Sequence, residues 1–145
     1  MAPRLAVLRT GRLNVAPTIL VVDDDPDICR LLVAVLGRAG YRVVQAYDGA
    51  SALVLARRER PDLILTDLAM PGMDGFALAA RLRMTGCAEP IVLMSAGRAL
   101  SPMPEFPFVA KPFDVSRLVQ TIAAQLPPDR SALGRDSERD LLVAV

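Results

Sequence analysis

Short, continuously apolar runs recur along this chain: TILVVD (18–23), DLILTD (62–67) and IVLMS (91–95). A strand with one covered face alternates apolar and polar side chains. An unbroken run suits a strand covered on both faces, as in a parallel sheet. Helical patterns stand in the gaps between the runs. Asp25-Pro26 opens the first, with Asp as cap and Pro in the first turn. Ile28, Leu31, Leu32, Val35 and Leu36 then recur at helical spacing until Gly40. YRVVQA (41–46) and FVA (108–110) are weaker strand candidates. Helices are expected over 50–60, stopped by Pro61, over 74–84, and over 114–126, where Val115, Leu118, Val119 and Ile122 share a face. This alternation predicts an α/β fold, a parallel sheet with helices on both sides.

With 145 residues, 52% of them apolar, the chain suits one domain with a sizeable core. Residues 18–126 are expected to form it, with 1–17 a flexible lead and 127–145 a disordered tail. A formal net charge of +1 gives no bulk electrostatic case for nucleic acid or membrane. No apolar run reaches membrane-spanning length. Cys29 and Cys87 stand alone, without metal-ligand spacing, and read as a packed thiol and a loop thiol in a reduced, cytoplasmic protein. The chain has no histidine, which removes every mechanism that needs its own imidazole.

Chemistry in open parallel sheets gathers beyond the carboxyl ends of the strands. Those ends carry Asp23, Asp24 and Asp25, then Asp67, then Ser95, then Lys111. Crowded carboxylates repel unless a cation neutralises them. Oxygen ligands suit a hard divalent ion such as Mg²⁺. A carboxylate can also attack phosphorus to give an acyl phosphate, with an ammonium and a hydroxyl to receive the phosphoryl oxygens. Asp67 reads as the nucleophile, Asp23 and Asp24 as metal sites, Lys111 as the charge and Ser95 as the hydroxyl, while Asp25 reads as a cap alone. Two rival sites fit less well. A calcium loop on Asp23, Asp25 and Asp27 would need glycine where Ile28 stands and an acid where Ala34 stands. A dehalogenase-type phosphatase would use the acids after the first strand and leave Asp67 unexplained.

ILVVDDDPDICRLL, PDLILTDLAMPGMDGFALAARLR, PIVLMSA and FVAKPF together resemble the receiver domain of two-component response regulators, over about residues 18–126. The resemblance implies a flavodoxin-like, CheY-like (βα)₅ sheet of order 2-1-3-4-5. It implies Asp67 as phosphoacceptor, an acidic pocket of Asp23 and Asp24, and Mg²⁺ on Asp24, Asp67 and the backbone carbonyl of Ala69. Lys111 matches the family lysine, and Ser95 and Phe108 its switch pair. The phosphoryl donor would be a histidine kinase or a phosphotransfer histidine, in a phosphorelay that switches protein–protein interactions. No separate catalytic activity is expected beyond self-phosphorylation from a donor and autodephosphorylation. The alternative is a degenerate receiver that docks proteins without phosphorylation.

The segment between Ser95 and Lys111 departs from the family. Pro102, Pro104 and Pro107 oppose a helix there, so the fourth helix is expected to be shortened or missing. Residues 97–107 are expected to form an irregular connection that exposes Leu100, Met103 and Phe106 as partner anchors. No effector domain is evident after residue 126. A downstream protein effector, or a longer parent chain, is therefore expected rather than direct DNA binding. A homodimer is one assembly open to it.

Overall fold

The computed structural model describes residues 15–96 and 106–127. Its strands are β1 (Thr18–Val22), β2 (Arg42–Ala46), β3 (Leu63–Asp67), β4 (Ile91–Ser95) and β5 (Phe108–Ala110). Its helices are α1 (Pro26–Arg38), α2 (Gly49–Glu59), α3 (Gly75–Met84) and α4 (Val115–Gln125). All neighbouring strands are parallel, in the order β2-β1-β3-β4-β5. Fold class and strand order are as expected, with four helices among the described residues. Most of the segment for which a shortened helix is expected, 97–105, lies outside the described residues. So do 1–14 of the lead and 128–145 of the tail.

The unbroken apolar runs have a simple cause. Successive strand residues face opposite sides, and both sides carry helices. Ile19, Val21, Leu63, Leu65, Val92, Met94 and Val109 face α1 and α4, meeting Cys29, Leu32, Leu36, Leu118 and Ile122. Leu20, Val22, Ile64 and Leu93 face α2 and α3, meeting Ala52, Leu78, Ala79 and Leu82. Truncating one such buried leucine to alanine costs about 2–5 kcal/mol. The outer strands β2 and β5 are less covered, so their sequences are less uniformly apolar.

Each helix starts at an aspartate whose carboxylate accepts a backbone N–H of the first turn: Asp25 from Asp27, Asp48 from Ser51, Asp74 from Ala77 and Asp114 from Arg117. These bonds satisfy donors that have no partner within the helix. Three side chains lie elsewhere than the sequence suggests. Leu31 is 47% exposed, about a third of a turn from the contact axis through Leu32 and Leu36. Val115, in the first turn of α4, is half exposed, and Leu118 and Ile122 carry that contact. Phe106 is not an exposed anchor. It packs on the α2–α3 side of the sheet with the Arg83 guanidinium 5.8 Å above its ring.

Candidate functional site

The register levels the carboxyl ends of the central strands. Val22 pairs with Ala46 and Thr66, Asp67 with Met94, and Ser95 with Ala110. The residues just beyond these positions therefore converge. The chain runs from β1 outward to β2, then returns to β3 on the other side of β1. The gap between β1 and β3 is thus the switch point at which such sheets hold ligands.

Asp23 follows β1 and is fully buried. Its Oδ1 accepts the Asp25 N–H at 2.9 Å, and its Oδ2 accepts from Lys111 Nζ at 2.7 Å. Asp67 ends β3 with only 6% exposure, and its Oδ1 lies 3.3 Å from the same ammonium. Asp24 stands exposed at the rim. Oxygens of Asp23, Asp24 and Asp67 all come within 4.8 Å of one another. Lys111 reaches them from the end of β5, anchored by its backbone N–H on the Ser95 carbonyl at 2.8 Å. The Lys111–Pro112 peptide is cis. Ser95 closes β4, half-buried, one residue beyond the partner of Asp67. Ala69 is exposed two residues after Asp67. Phe108 pairs with Leu93 and is half-buried on the α2–α3 side.

The structure thus gathers Asp23, Asp24, Asp67 and Lys111 into one cluster, with Ser95 and Ala69 on the adjoining strand end and loop. Phe108 lies back along β5, three residues before Lys111. Asp25, spent as a helix cap, takes no part. Burial pushes the Asp67 carboxyl above the ordinary aspartate range, and the neighbouring Asp23 charge adds to this, with Lys111 opposing. Burial alone would lower the Lys111 ammonium, but its bonds to Asp23 and Asp67 outweigh burial and hold it above the usual lysine value. Cys29 packs behind the site and donates its thiol to the Asp23 carbonyl at 3.4 Å. Burial pushes that thiol up to about 11, so it stays neutral. Cys87 is half-buried away from the site and is also raised by burial.

Three carboxylates with one ammonium leave excess negative charge in a partly buried pocket. Their oxygen-only donor set fits a hard divalent cation. The pocket also offers a buried carboxylate beside a fixed cation, which suits a nucleophile that must receive an anionic group.

Motif reading passes over one signal in the sequence. Lys111 is the only lysine in the chain; the other basic residues among its 17 are arginine. The compact ammonium reaches two carboxylates, at 2.7 and 3.3 Å, as a single point charge, for which a planar guanidinium is not an equivalent replacement. The one position that keeps lysine is the one whose geometry asks for it.

The family model of the response regulator receiver domain matches residues 19–123. Sporulation initiation phosphotransferase F of Bacillus subtilis is 35% identical over 115 residues, 75% of this chain and 93% of that protein. The DNA-binding dual master transcriptional regulator RpaA of Synechocystis is 37% identical over 118 residues, 76% of this chain and 49% of that protein. The chain spans about half the length of the first curated relatives it matches. Chemotaxis protein CheY4 of Vibrio cholerae, a solved structure, superposes with a TM-score of 0.73 at 30% identity, over 77% of this chain and all of that one.

Proposed function

The chain belongs to the response regulator receiver family, and we propose that it serves there as a phosphoryl acceptor through the Asp67 carboxylate. An Asp67 oxygen attacks the phosphorus of a phosphohistidine. The new O–P bond forms as the P–N bond breaks, and the electron pair leaves with the donor imidazole. These 145 residues hold no histidine, so the donor imidazole lies outside them, on a histidine kinase or a phosphotransfer domain. Lys111, held protonated, neutralises a phosphoryl oxygen during transfer, and the Ser95 hydroxyl donates to the product phosphoryl group. Asp24, Asp67 and the Ala69 carbonyl would hold Mg²⁺, which supplies charge neutralisation of the phosphoryl oxygens when bound. Asp23, with one oxygen on a backbone N–H and the other on Lys111, frames the pocket and fixes the ammonium.

The observation that carries this reading is the convergence of a buried carboxylate, an acidic oxygen cluster and the sole lysine at one switch point. A docking module indifferent to phosphorylation would not require that lysine. Downstream, Ser95 and Phe108 are the switch pair, and a protein effector, not nucleic acid, reads the change. No helix among the described residues is long and apolar enough to cross a membrane, and we place the relay in the cytoplasm. The test is incubation with acetyl phosphate and Mg²⁺ followed by intact mass. Wild type gains one phosphoryl group and Asp67→Ala gains none. Equal labelling of the two refutes the assignment.

A further inference from the structure

The peptide that follows Asp67 is held on three sides. The fully buried Thr66 donates its Oγ1–H to the Asp67 carbonyl at 3.0 Å. The Leu68 N–H donates to the Met94 carbonyl of β4 at 2.8 Å. On the third side stands Gly75, the first residue of α3, whose N–H donates to the Leu68 carbonyl at 2.8 Å. There is no room for a side chain there. A Cβ on Gly75 would lie 2.6 Å from the Asp67 carbonyl oxygen, 2.9 Å from Leu68 Cα and 3.3 Å from the Asp67 carbonyl carbon. All three are main-chain atoms, so either the helix or the peptide of Asp67 must move. Gly37, inside α1, is the counter-case, because a Cβ there meets nothing within 4 Å.

Backbone conformation does not explain the glycine, since the residues with positive φ among those described are Arg60, Gly40, Gly72 and Gly86. Helix propensity does not either, because glycine inside a helix is less favourable than alanine. What remains is the close approach. We propose that Gly75, together with Thr66, is a positioning residue for phosphoryl transfer, setting the acceptor peptide so that the Asp67 carboxylate faces Lys111. This rests on Asp67 being the acceptor. The Lys111–Asp67 separation of 3.3 Å is already at the long end of a hydrogen bond, so a shift of several tenths of an ångström breaks it. A nucleophile misplaced by ~1 Å loses about 10²-fold in rate.

The test compares the 145-residue wild type, Gly75→Ala, Thr66→Val and Gly37→Ala at 10 °C, with folding checked by circular dichroism. Acetyl phosphate and Mg²⁺ serve as donor and cation. Gly75→Ala should lower the maximal phosphorylation rate at least about tenfold while leaving the half-saturating donor concentration near wild type. Thr66→Val should lower the rate in the same manner, and Gly37→Ala should match wild type. Without donor, the Asp67 and Leu68 amide resonances of Gly75→Ala and Thr66→Val should shift, and the Leu68 amide should exchange faster. A folded Gly75→Ala that reacts within about twofold of wild type overturns the proposal. If Gly75→Ala does not fold, Thr66→Val decides by the same criterion. If wild type itself takes up no phosphoryl group, the acceptor reading fails, and unchanged Asp67 and Leu68 amides in the variants overturn the positioning claim separately.

Discussion

Replacing Lys111 by methionine keeps a long apolar stem and removes the charge that two buried carboxylates share. Each ion pair is strong on paper: at an effective dielectric of 20, separations of 2.7 and 3.3 Å correspond to about 6 and 5 kcal/mol of Coulomb attraction. The net effect is smaller because desolvation of all three groups opposes it. Breaking a buried pair by removing one partner costs about 3–5 kcal/mol. Protonation sets a ceiling, since neutralising one carboxyl from an ordinary pKa near 4 to pH 7 costs about 4 kcal/mol. Lys111→Met should therefore lose about 3 kcal/mol of stability at pH 7. The pH dependence identifies the cause. In the variant one carboxyl takes up a proton on folding that the unfolded chain does not hold, so its stability rises on acidification. Its deficit relative to wild type should shrink by up to about 1.4 kcal/mol per pH unit between 7 and 5. The wild-type ammonium, with its raised pKa, stays charged throughout that range and contributes fully; that contribution is lost only as pH rises through the raised value. The chain has no tryptophan, so urea unfolding followed by far-ultraviolet circular dichroism at pH 5, 6 and 7 is the assay. A deficit that is equal at all three pH values, or below about 1 kcal/mol at pH 7, would show that Lys111 acts by packing rather than by charge.

Lys111→Arg should fold yet lose at least about tenfold in phosphorylation rate, because a planar fork spreads and redirects the charge that the ammonium presents as a point; rates with acetyl phosphate check it. Asp67→Asn should be more stable than wild type at pH 7, with the gap closing on acidification. The folded-state pKa of Asp67 is raised, so its contribution is favourable at low pH and is lost as pH rises through the raised value. Thermal melts at pH 5 and 7 test this. Asp24→Asn should weaken Mg²⁺ binding about tenfold or more, the equivalent of ~1.4 kcal/mol, in a calorimetric titration; equal affinities would remove Asp24 from the ligand set.

Local chemistry was the legible part of this fold. Asp25 opens a helix because a carboxylate two residues before an N–H can satisfy it, and sequence alone shows that arrangement. The strands declare themselves because both faces are buried. Non-local geometry is different. Nothing in the spacing of Asp23 and Lys111, 88 residues apart, says that they meet at 2.7 Å; only the resemblance to a known family supplied the strand order that joins them. Helical periodicity marks an apolar arc but not its centre, which is why Leu31 and Val115 looked buried and lie exposed. Phe106 looked exposed because its neighbours are prolines, yet the sheet face beside α3 leaves an apolar surface that its ring covers. Gly75 was visible as a residue and opaque as a reason, since the atom it makes room for belongs to the end of another element.

The resting site is a charge problem that the fold does not solve by itself. Asp23 is spoken for by a backbone N–H and the ammonium, which leaves Asp67 buried with one shared cation and Asp24 beside it. A sequence selected only for stability would place asparagine or an apolar residue at position 67, because a well-packed neutral core is as stable as a buried ion pair or more so. Keeping aspartate there disfavours ionisation, and the same burial strips water from the carboxylate. A dehydrated, more basic carboxylate is a better nucleophile toward phosphorus, provided that cations stand ready for the incoming negative charge. The lysine supplies one of them from within the chain, and the open oxygens of Asp24 and Asp67 mark where another belongs. Asp67 therefore reads best as a residue kept for reactivity at the expense of stability, and a gain in stability with loss of phosphorylation in Asp67→Asn would be the signature of that exchange.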